Sequence, residues 1–452
     1  MSPDGADGKP PQEQGVARRS VLRGVGAGTL AAGAGGILAA CSSGIKGSGP
    51  STSSGTINIG FITPLTGPLA GFASGDKFVL DTIRATSAYA KGFTVGSKNY
   101  KVNIVTADSQ SDPNRASQVA RQLILNNNVD MLLTTSTPET TNPVAVVAQT
   151  QGVPCLSTVV PWESWYGGLG GNPAPGKSTT VFEYCTMFFF GLKEFQGCFV
   201  PMWNRVPAAN KNVACMYPND ADGNAFRAAF EPLITASGYK PVDGGAYTDG
   251  TTDFSSMIAK FKSTNCEYYS NAPIPPDFNT FWKQAHQQGW KPKLATVAKV
   301  LLFPADTVAL GSLVNNVATD SWWGPFMPNK SSLDGQSASA LANAFQAQTG
   351  NQWVQSIGST YSLFEVAQKA FTAVSDPHDK KAVAHALHNV NYSGMCGALN
   401  FAGGPAPGVA IINPVGVQWK AATGKFPFEM KVVDNSLNPA VKIEAKLEPT
   451  NP

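Results

Sequence analysis

The chain has 452 residues, of which 42% are hydrophobic and 14% charged, and its formal net charge is +3. This length exceeds that of a typical single compact domain and is sufficient for two domains. There is no run of basic residues and no arginine-rich helix, which argues against a nucleic-acid-binding protein.

The first 41 residues have the pattern of an export signal. Arg18 and Arg19 precede a weakly apolar run over residues 24–40, an arrangement that resembles a twin-arginine signal. Cys41 ends a Leu-Ala-Ala-Cys sequence that resembles a lipobox, so we expect Cys41 to carry a lipid. The alternative, a membrane-spanning helix, needs about 20 apolar residues. This run is shorter and contains six glycines.

Residues 42–55 are rich in glycine and serine and predict a flexible tether between the lipid and a folded body. After residue 40 no apolar run is long enough to span a membrane. We therefore expect an exported protein that is anchored by lipid at the outer face of the cytoplasmic membrane or in the periplasm.

From residue 56 onward, short apolar runs alternate with helical patterns. Asp112 and Pro113 mark one helix start, because an aspartate N-cap precedes a first-turn proline. The first series predicts strands at 57–62, 101–106, 129–133 and 153–156, and helices at 76–89, 113–127 and 143–151.

A second series repeats the same alternation after an apolar helix expected at about 187–200. It comprises strands at 212–217, 267–272 and 293–297, with helices at 224–237, 254–263 and 279–288. Such alternation predicts an α/β fold with parallel sheets that are covered by helices on both faces. The last part of the chain predicts helices at 336–348, 359–374 and 380–389, and strands at 398–401, 416–419 and 428–434.

Six cysteines follow Cys41, and we expect mostly buried free thiols. Pairing Cys185 with Cys198, or Cys215 with Cys266, would place the α-carbons farther apart than the roughly 7 Å that a disulfide allows. No Cys-x-x-Cys, His-Glu-x-x-His or Gly-x-Ser-x-Gly motif occurs. His385 and His388 lie one helical turn apart but have no third ligand at a recognisable spacing. We therefore expect no enzyme activity, metal or cofactor.

Several short motifs, taken in order, resemble the extracytoplasmic solute-binding proteins of ABC importers, of the branched-chain amino-acid (Leu/Ile/Val-binding) type. The resemblance covers nearly all of residues 56–440. The motifs are INIGF at 57–61, PLTGPLA at 64–70, DSQSDP at 108–113, GVP at 152–154 with Ser157, DFS at 253–255 and GALNF at 397–401.

The resemblance implies two doubly wound parallel-sheet lobes joined by a hinge of three chain crossings, the type I periplasmic-binding-protein fold. It divides the chain into lobe 1 at 56–184 and 321–405, and lobe 2 at 185–320 and 406–452. It also implies a small-molecule solute held between the lobes and an ABC permease and ATPase as partners. The alternative is a ligand-sensing protein of the same fold that acts on a signalling partner.

Ligands of open α/β sheets bind outside the carboxyl ends of the strands, so the candidate site lies in the loops that follow them. Residues 134–143 end a strand in hydroxyls just before a helix N-terminus, which suits a carboxylate. The resemblance extends the site to other loops. The expected ligand-binding residues are Phe72, Ser136, Thr137, Glu139, Thr140, Val159, Trp162, Asp222, Ile274 and Lys299.

Lys299 stands where amino-acid binders of this family usually present an acidic residue to the ligand's ammonium. A lysine cannot pair with an ammonium, which argues against an amino-acid ligand unless Asp222 or Glu139 takes that role. The sequence therefore favours a carboxylate- or amide-bearing solute over leucine. Three tryptophans, Trp162, Trp165 and Trp323, offer flat walls for a larger or aromatic ligand.

Overall fold

Two seven-stranded sheets organise residues 55–450, the part of the chain that the computed structural model describes. The first sheet has the strand order β14-β6-β5-β4-β1-β3-β2 and is parallel except for β2 at its edge. Its strands are β1 (Thr56–Thr63), β2 (Phe93–Val95), β3 (Lys98–Asp108), β4 (Met131–Thr135), β5 (Cys155–Thr158), β6 (Cys185–Phe188) and β14 (Val409–Ala410).

The second sheet has the order β16-β15-β11-β10-β9-β7-β8, in which only β15 is reversed and pairs antiparallel with both of its neighbours, β11 and β16. Its strands are β7 (Asn212–Met216), β8 (Lys240–Asp243), β9 (Tyr268–Asn271), β10 (Leu294–Val297), β11 (Ala318–Ser321), β15 (Val415–Ala421) and β16 (Phe428–Asp434). A separate hairpin pairs β12 (Asn391–Gly394) with β13 (Gly397–Asn400).

Helices connect the parallel strands and cover both sheets. They are α1 (Asp76–Ala85), α2 (Ser87–Lys91), α3 (Pro113–Asn126), α4 (Pro138–Gln151), α5 (Trp162–Gly168), α6 (Leu192–Arg205), α7 (Ala221–Ala225), α8 (Glu231–Ala236), α9 (Ser255–Ser263), α10 (Pro275–Gln287), α11 (Pro304–Leu310), α12 (Ala338–Thr349), α13 (Ser356–Thr372) and α14 (Lys380–His388). Short 3-10 turns cover Ala70–Ala73 and Gly311–Val314, and a π-helical turn covers Phe226–Phe230.

Strand burial explains why apolar runs, rather than alternating patterns, mark the central strands. All five residues of β4 are buried, as are all four of β5, because a parallel strand between two helical layers has no solvent face. The predicted start of α3 is confirmed: the Asp112 side chain accepts a hydrogen bond from the Arg115 N–H at 2.6 Å.

The chain passes between the sheets three times: from β6 to α6, from β11 towards α12, and from β14 to β15. The predicted fold, two doubly wound lobes joined by three crossings, is confirmed. Two predicted crossing points, at residues 185 and 406, fall too early. Strands β6 and β14 both pair within the first sheet, so the chain leaves this lobe only after Phe188 and after Ala410.

Two of the differences between predicted and observed helix bounds affect the candidate site. The apolar stretch at 187–200 is strand β6 followed, after a break at Gly191, by α6. Helix α4 begins at Pro138 and not at 143, with Thr137 as N-cap, so Asn142 lies inside the helix. The earlier start brings the helix N-terminus to the end of β4.

The predicted export signal, the lipid attachment at Cys41 and nearly all of the tether lie outside the described residues. Within residues 55–450, no helix combines the length and the apolar character that a membrane crossing requires.

Candidate functional site

The loop between β4 and α4 carries a row of buried hydroxyl groups at a helix N-terminus. Thr137 is the N-cap residue of α4, yet its side chain makes no capping hydrogen bond. Buried polar atoms are normally hydrogen-bonded, and free backbone N–H groups at a helix N-terminus attract anions. Five hydroxyls here are buried with no hydrogen-bond partner among residues 55–450: those of Thr135, Ser136, Thr137, Thr140 and Thr141.

Three loops that follow strands at the cleft each contain a strained backbone position. Ser136 after β4, Val159 after β5 and Lys299 after β10 have positive φ angles of 138°, 61° and 67°. Residues other than glycine adopt such angles at an energetic cost, and the surrounding structure must hold them there. These strained turns direct the loops at the carboxyl ends of both sheets towards one another.

A narrow cavity of about 30 Å³ lies between these loops. Most of its wall is apolar and aromatic, and its polar atoms come from few side chains, a composition typical of small-molecule sites. The lining residues are Phe72, Thr137, Val159, Pro161, Phe189, Phe195, Asp222, Phe226, Ala272, Ala298, Lys299, Leu302, Asp320 and Trp322.

Lys299 lies among three carboxylates at the side of this cavity. Its Nζ is 3.0 Å from Asp220 Oδ2, 3.0 Å from Asp222 Oδ2 and 3.6 Å from Glu139 Oε2. The Lys299 side chain is only 7% exposed. Glu139 belongs to α4 of lobe 1, whereas the other three residues belong to lobe 2. A second polar link crosses the cleft from the Ser164 hydroxyl to Asp222 Oδ1 at 3.3 Å.

Burial and charge shift the ionisation of this group in opposite directions. Burial alone lowers the pKa of Lys299, but Glu139, Asp220 and Asp222 raise that pKa well above its usual value. Burial raises the pKa of Asp222 to about 7, although Lys299 acts to lower it. Burial also raises the pKa of Asp320, on the opposite wall, to about 7. The lysine is therefore charged at neutral pH, and the two aspartates are partly protonated.

The structure gathers five of the ten expected ligand-binding residues at the cavity wall: Phe72, Thr137, Val159, Asp222 and Lys299. Ser136, Glu139 and Thr140 lie immediately behind this wall on the β4–α4 segment. Trp162 does not line the cavity, because it begins α5 and faces a separate surface groove. Ile274 is also outside it, and Ala272 lines the wall from the same loop.

The expectation about Lys299 requires a correction. The side chain does face the cleft, but its charge is already balanced by the protein's own carboxylates rather than left for the ligand. The expected tryptophan walls also differ. Trp165 packs against Phe182 and Trp323 packs against Trp353, both away from the cavity.

Sequence reasoning missed the residues of the hinge side. Phe189 follows β6 and Trp322 follows β11, at two of the three crossings. Asp320 has a buried carboxylate oxygen, Oδ1, and Trp322 an indole N–H, and neither has a hydrogen-bond partner within the described residues. The rule that ligands bind beyond strand ends applies equally to β6 and β11. It would have pointed to these residues if 185–188 and 318–321 had both been predicted as strands.

The model of the periplasmic binding protein family matches residues 56–417. The chain belongs to this family. Leu/Ile/Val-binding protein homolog 3 of Brucella melitensis is 25% identical over 233 residues, which are 52% of this chain. The match spans 58% of that relative's length.

Two solved structures of periplasmic binding proteins share the fold. The leucine-binding protein LivK of Thermotoga maritima superposes with a TM-score of 0.67 at 18% identity, covering 85% of this chain and 99% of that one. An ABC-transporter solute-binding protein of Rhodopseudomonas palustris, in complex with 3,4-dihydroxybenzoic acid, gives a TM-score of 0.63 at 17% identity. That superposition covers 86% of this chain and 98% of the other.

Membership of the family has three consequences. The chain is a solute-binding protein of the branched-chain amino-acid type, it acts outside the cytoplasm, and it is not an enzyme. The resemblance drawn from short sequence motifs is thereby confirmed, including the type I fold.

Proposed function

We propose that this periplasmic binding protein captures a small solute that bears a carboxylate or an amide group and delivers it to the permease and ATPase of an ABC importer. The observation that carries the proposal is the row of unpartnered hydroxyls from Thr135 to Thr141 beside an aromatic-walled cavity. A buried donor without a partner is costly in the free protein, and a ligand acceptor removes that cost.

The carboxylate or amide oxygen of the ligand would lie at the N-terminus of α4. Thr137 contributes its hydroxyl to the cavity, and Ser136 and Thr140 stand beside it. Backbone N–H groups and the positive end of the helix dipole favour negative charge at this position. Hydrogen bonds to a charged acceptor are also stronger than those between neutral groups.

The body of the ligand would pack between Phe72 and the hinge aromatics. Phe189, Phe195 and Trp322 present ring surfaces to the cavity, while Val159 and Leu302 supply aliphatic contacts. Flat walls favour an aromatic or branched apolar group. The structural neighbour from Rhodopseudomonas palustris, which holds an aromatic carboxylic acid, supports this class.

The test is a thermal-shift panel on the purified protein after unfolding and refolding have removed any bound solute. Aromatic acids, aliphatic acids, dicarboxylates, short amides and branched-chain amino acids would be compared. A ligand at about a hundred times its dissociation constant adds about 2.7 kcal/mol of stability. We expect a shift with at least one acid or amide. A panel in which no acid or amide raises the thermal midpoint would contradict the proposal.

We also propose that Cys41 is lipidated and holds the protein at the outer face of the cytoplasmic membrane. Two acyl chains on one residue suffice for stable attachment. In cells, Cys41→Ser should move the protein from the membrane fraction to the soluble extracytoplasmic fraction. A variant that remains with the membranes would contradict the anchor and leave the ligand proposal untouched.

A further inference from the structure

Lys299 forms ion pairs with three of the protein's own carboxylates. An ammonium group has three N–H donors and no acceptor. Here the three neighbouring acids are Asp220, Asp222 and Glu139, at 3.0, 3.0 and 3.6 Å from Nζ. The protein therefore already contains one cation at the point where acids from both lobes meet.

The backbone holds this cation in place. Strand β10 ends at Val297, and the Ala298 N–H donates to the Asn271 side chain at 2.9 Å. Lys299 then adopts a φ of 67°, which turns its side chain towards the cleft. A strained conformation persists only where the surrounding contacts determine it. The backbone conformation of the loop therefore fixes the position of the Lys299 ammonium group.

The lysine and the candidate ligand share one cavity. Lys299 and Asp222 line it together with Thr137, whose buried hydroxyl has no partner within residues 55–450. A solute whose carboxylate reached the α4 N-terminus would bring any α-ammonium group towards the same acids. The ligand ammonium would be repelled by the ammonium of Lys299 and would have to share the same carboxylate acceptors.

We propose that Lys299 is a tethered ammonium that occupies the position of a ligand ammonium, so that the cleft selects carboxylates or amides without one. This inference rests on the proposed function, because it concerns the same cleft. It makes Lys299 the residue that determines specificity between α-amino acids and their des-amino counterparts. It also explains how a protein of the branched-chain amino-acid type can have lysine at this position.

The first test compares solutes that differ only in the ammonium: 3-phenylpropionate with phenylalanine, and 4-methylpentanoate with leucine. Calorimetry on the wild-type protein should show the des-amino acid binding at least about tenfold more tightly. Lys299→Met should reverse or abolish that preference, whereas Lys293→Met, at a lysine paired with Glu267 on the surface, should preserve it. A wild-type protein that binds the amino acid as tightly as its partner would overturn the inference.

The second test needs no ligand. Lys299→Ala removes the side chain and leaves the three surrounding acids without their cation, so butylammonium should raise the thermal midpoint of this variant. Butanol should not do so, and butylammonium should leave the wild type unchanged. Equal effects of the alcohol and the ammonium on the variant would refute the ammonium position. Lys299→Gln retains a hydrogen-bond donor and replaces either variant if that variant does not fold.

The two tests separate the inference from the function on which it rests. If no acid or amide of the thermal-shift panel binds, the proposed ligand class fails, and rescue by butylammonium still decides whether Lys299 occupies a cation position. If acids bind but the amino acids bind equally well, the proposed function stands and the role of Lys299 falls.

Discussion

The Glu163 carboxylate accepts the Leu192 backbone N–H, with the two oxygens at 3.0 and 3.2 Å from the nitrogen. Glu163 lies in α5 of lobe 1, and Leu192 begins α6 immediately beyond the first crossing between the lobes. Burial raises the pKa of Glu163 to about 8, even though the hydrogen bond from Leu192 lowers it. A titrating group therefore stands at the hinge.

This pKa shift predicts that stability falls with rising pH. The unfolded chain releases the Glu163 proton near pH 4.5, whereas the folded chain retains it to about pH 8. The stabilisation is complete below the lower value and is lost as pH rises through the higher one. One pKa unit corresponds to about 1.36 kcal/mol. Between about pH 6 and about pH 9, Glu163→Gln should therefore lose less stability than the wild type.

Thermal or urea unfolding of both proteins at each pH measures this difference. Glutamine retains a carbonyl oxygen for Leu192 but cannot ionise. Glu183→Gln is the control, since Glu183 pairs with Lys381 in an exposed position and should leave the pH dependence unchanged. Parallel curves for Glu163→Gln and the wild type would show that Glu163 ionises normally.

Thr137→Val should weaken ligand binding without weakening the free protein. The hydroxyl makes no hydrogen bond to residues 55–450, so its loss removes an unsatisfied donor from the empty site. A hydrogen bond to a charged ligand group is worth about 1.5–3 kcal/mol, which predicts at least about a tenfold rise in dissociation constant. Calorimetry with the best acid of the panel measures the effect.

Thr186→Val is the matched control for that substitution. Thr186 lies within β6, is fully buried and also has a hydroxyl without a partner among the described residues, but it does not line the cavity. It should leave affinity unchanged. An equal loss of affinity in both variants would mean that Thr137 acts through general packing and not through contact with the ligand.

The fold was predictable because its signals are local. The strand pattern at 57–62, the Asp112 cap and the spacing of later helices all appear as predicted, since period and capping depend on near neighbours. The stretch at 187–200 was not predictable in this way. A four-residue strand followed directly by an apolar helix reads as one continuous apolar segment until tertiary pairing separates the two.

The site was predictable by loop but not by side chain. Strand ends indicated residues 134–143 and the family resemblance indicated 298–299, and residues from both segments line the cavity. The choice between Trp322 and Trp323 depends on which face of an extended chain meets the cavity. Successive side chains of an extended segment point to opposite sides, so an error of one residue in the predicted register selects the wrong tryptophan. The balance of charge around Lys299 requires partners from two other segments, which sequence spacing does not bring together.

Phe303→Ala should shift the ligand-free protein towards an open cleft. Phe72 of lobe 1 and Phe303 of lobe 2 meet edge to face, with ring centroids 4.9 Å apart. Such pairs contribute about 0.5–1.5 kcal/mol beyond their buried area, and this contact exists only while the lobes are close. Small-angle scattering should show a larger radius of gyration for the free variant and the wild-type value once ligand is bound.

Phe326→Ala provides the comparison for that change. Phe326 packs edge to face on Trp353 at 5.8 Å, and both residues belong to the segment between β11 and β14. Its loss removes a similar aromatic contact without separating the lobes, so the scattering curve should match the wild type. The same expansion in both variants would attribute the effect to general loosening rather than to the cleft.

The sequence predicts mostly buried free thiols, and in the structure all six cysteines of the described chain are buried and free. Cys155 and Cys185 are direct neighbours on adjacent parallel strands, which makes them the pair to examine in an oxidising compartment. Burial raises the pKa of Cys185 and keeps it in the unreactive thiol form. With Cys41→Ser as background, a thiol reagent should find no reactive group in the native protein and six after unfolding without reductant. Four would mean that Cys155 and Cys185 are joined, and reduction should then lower the thermal midpoint.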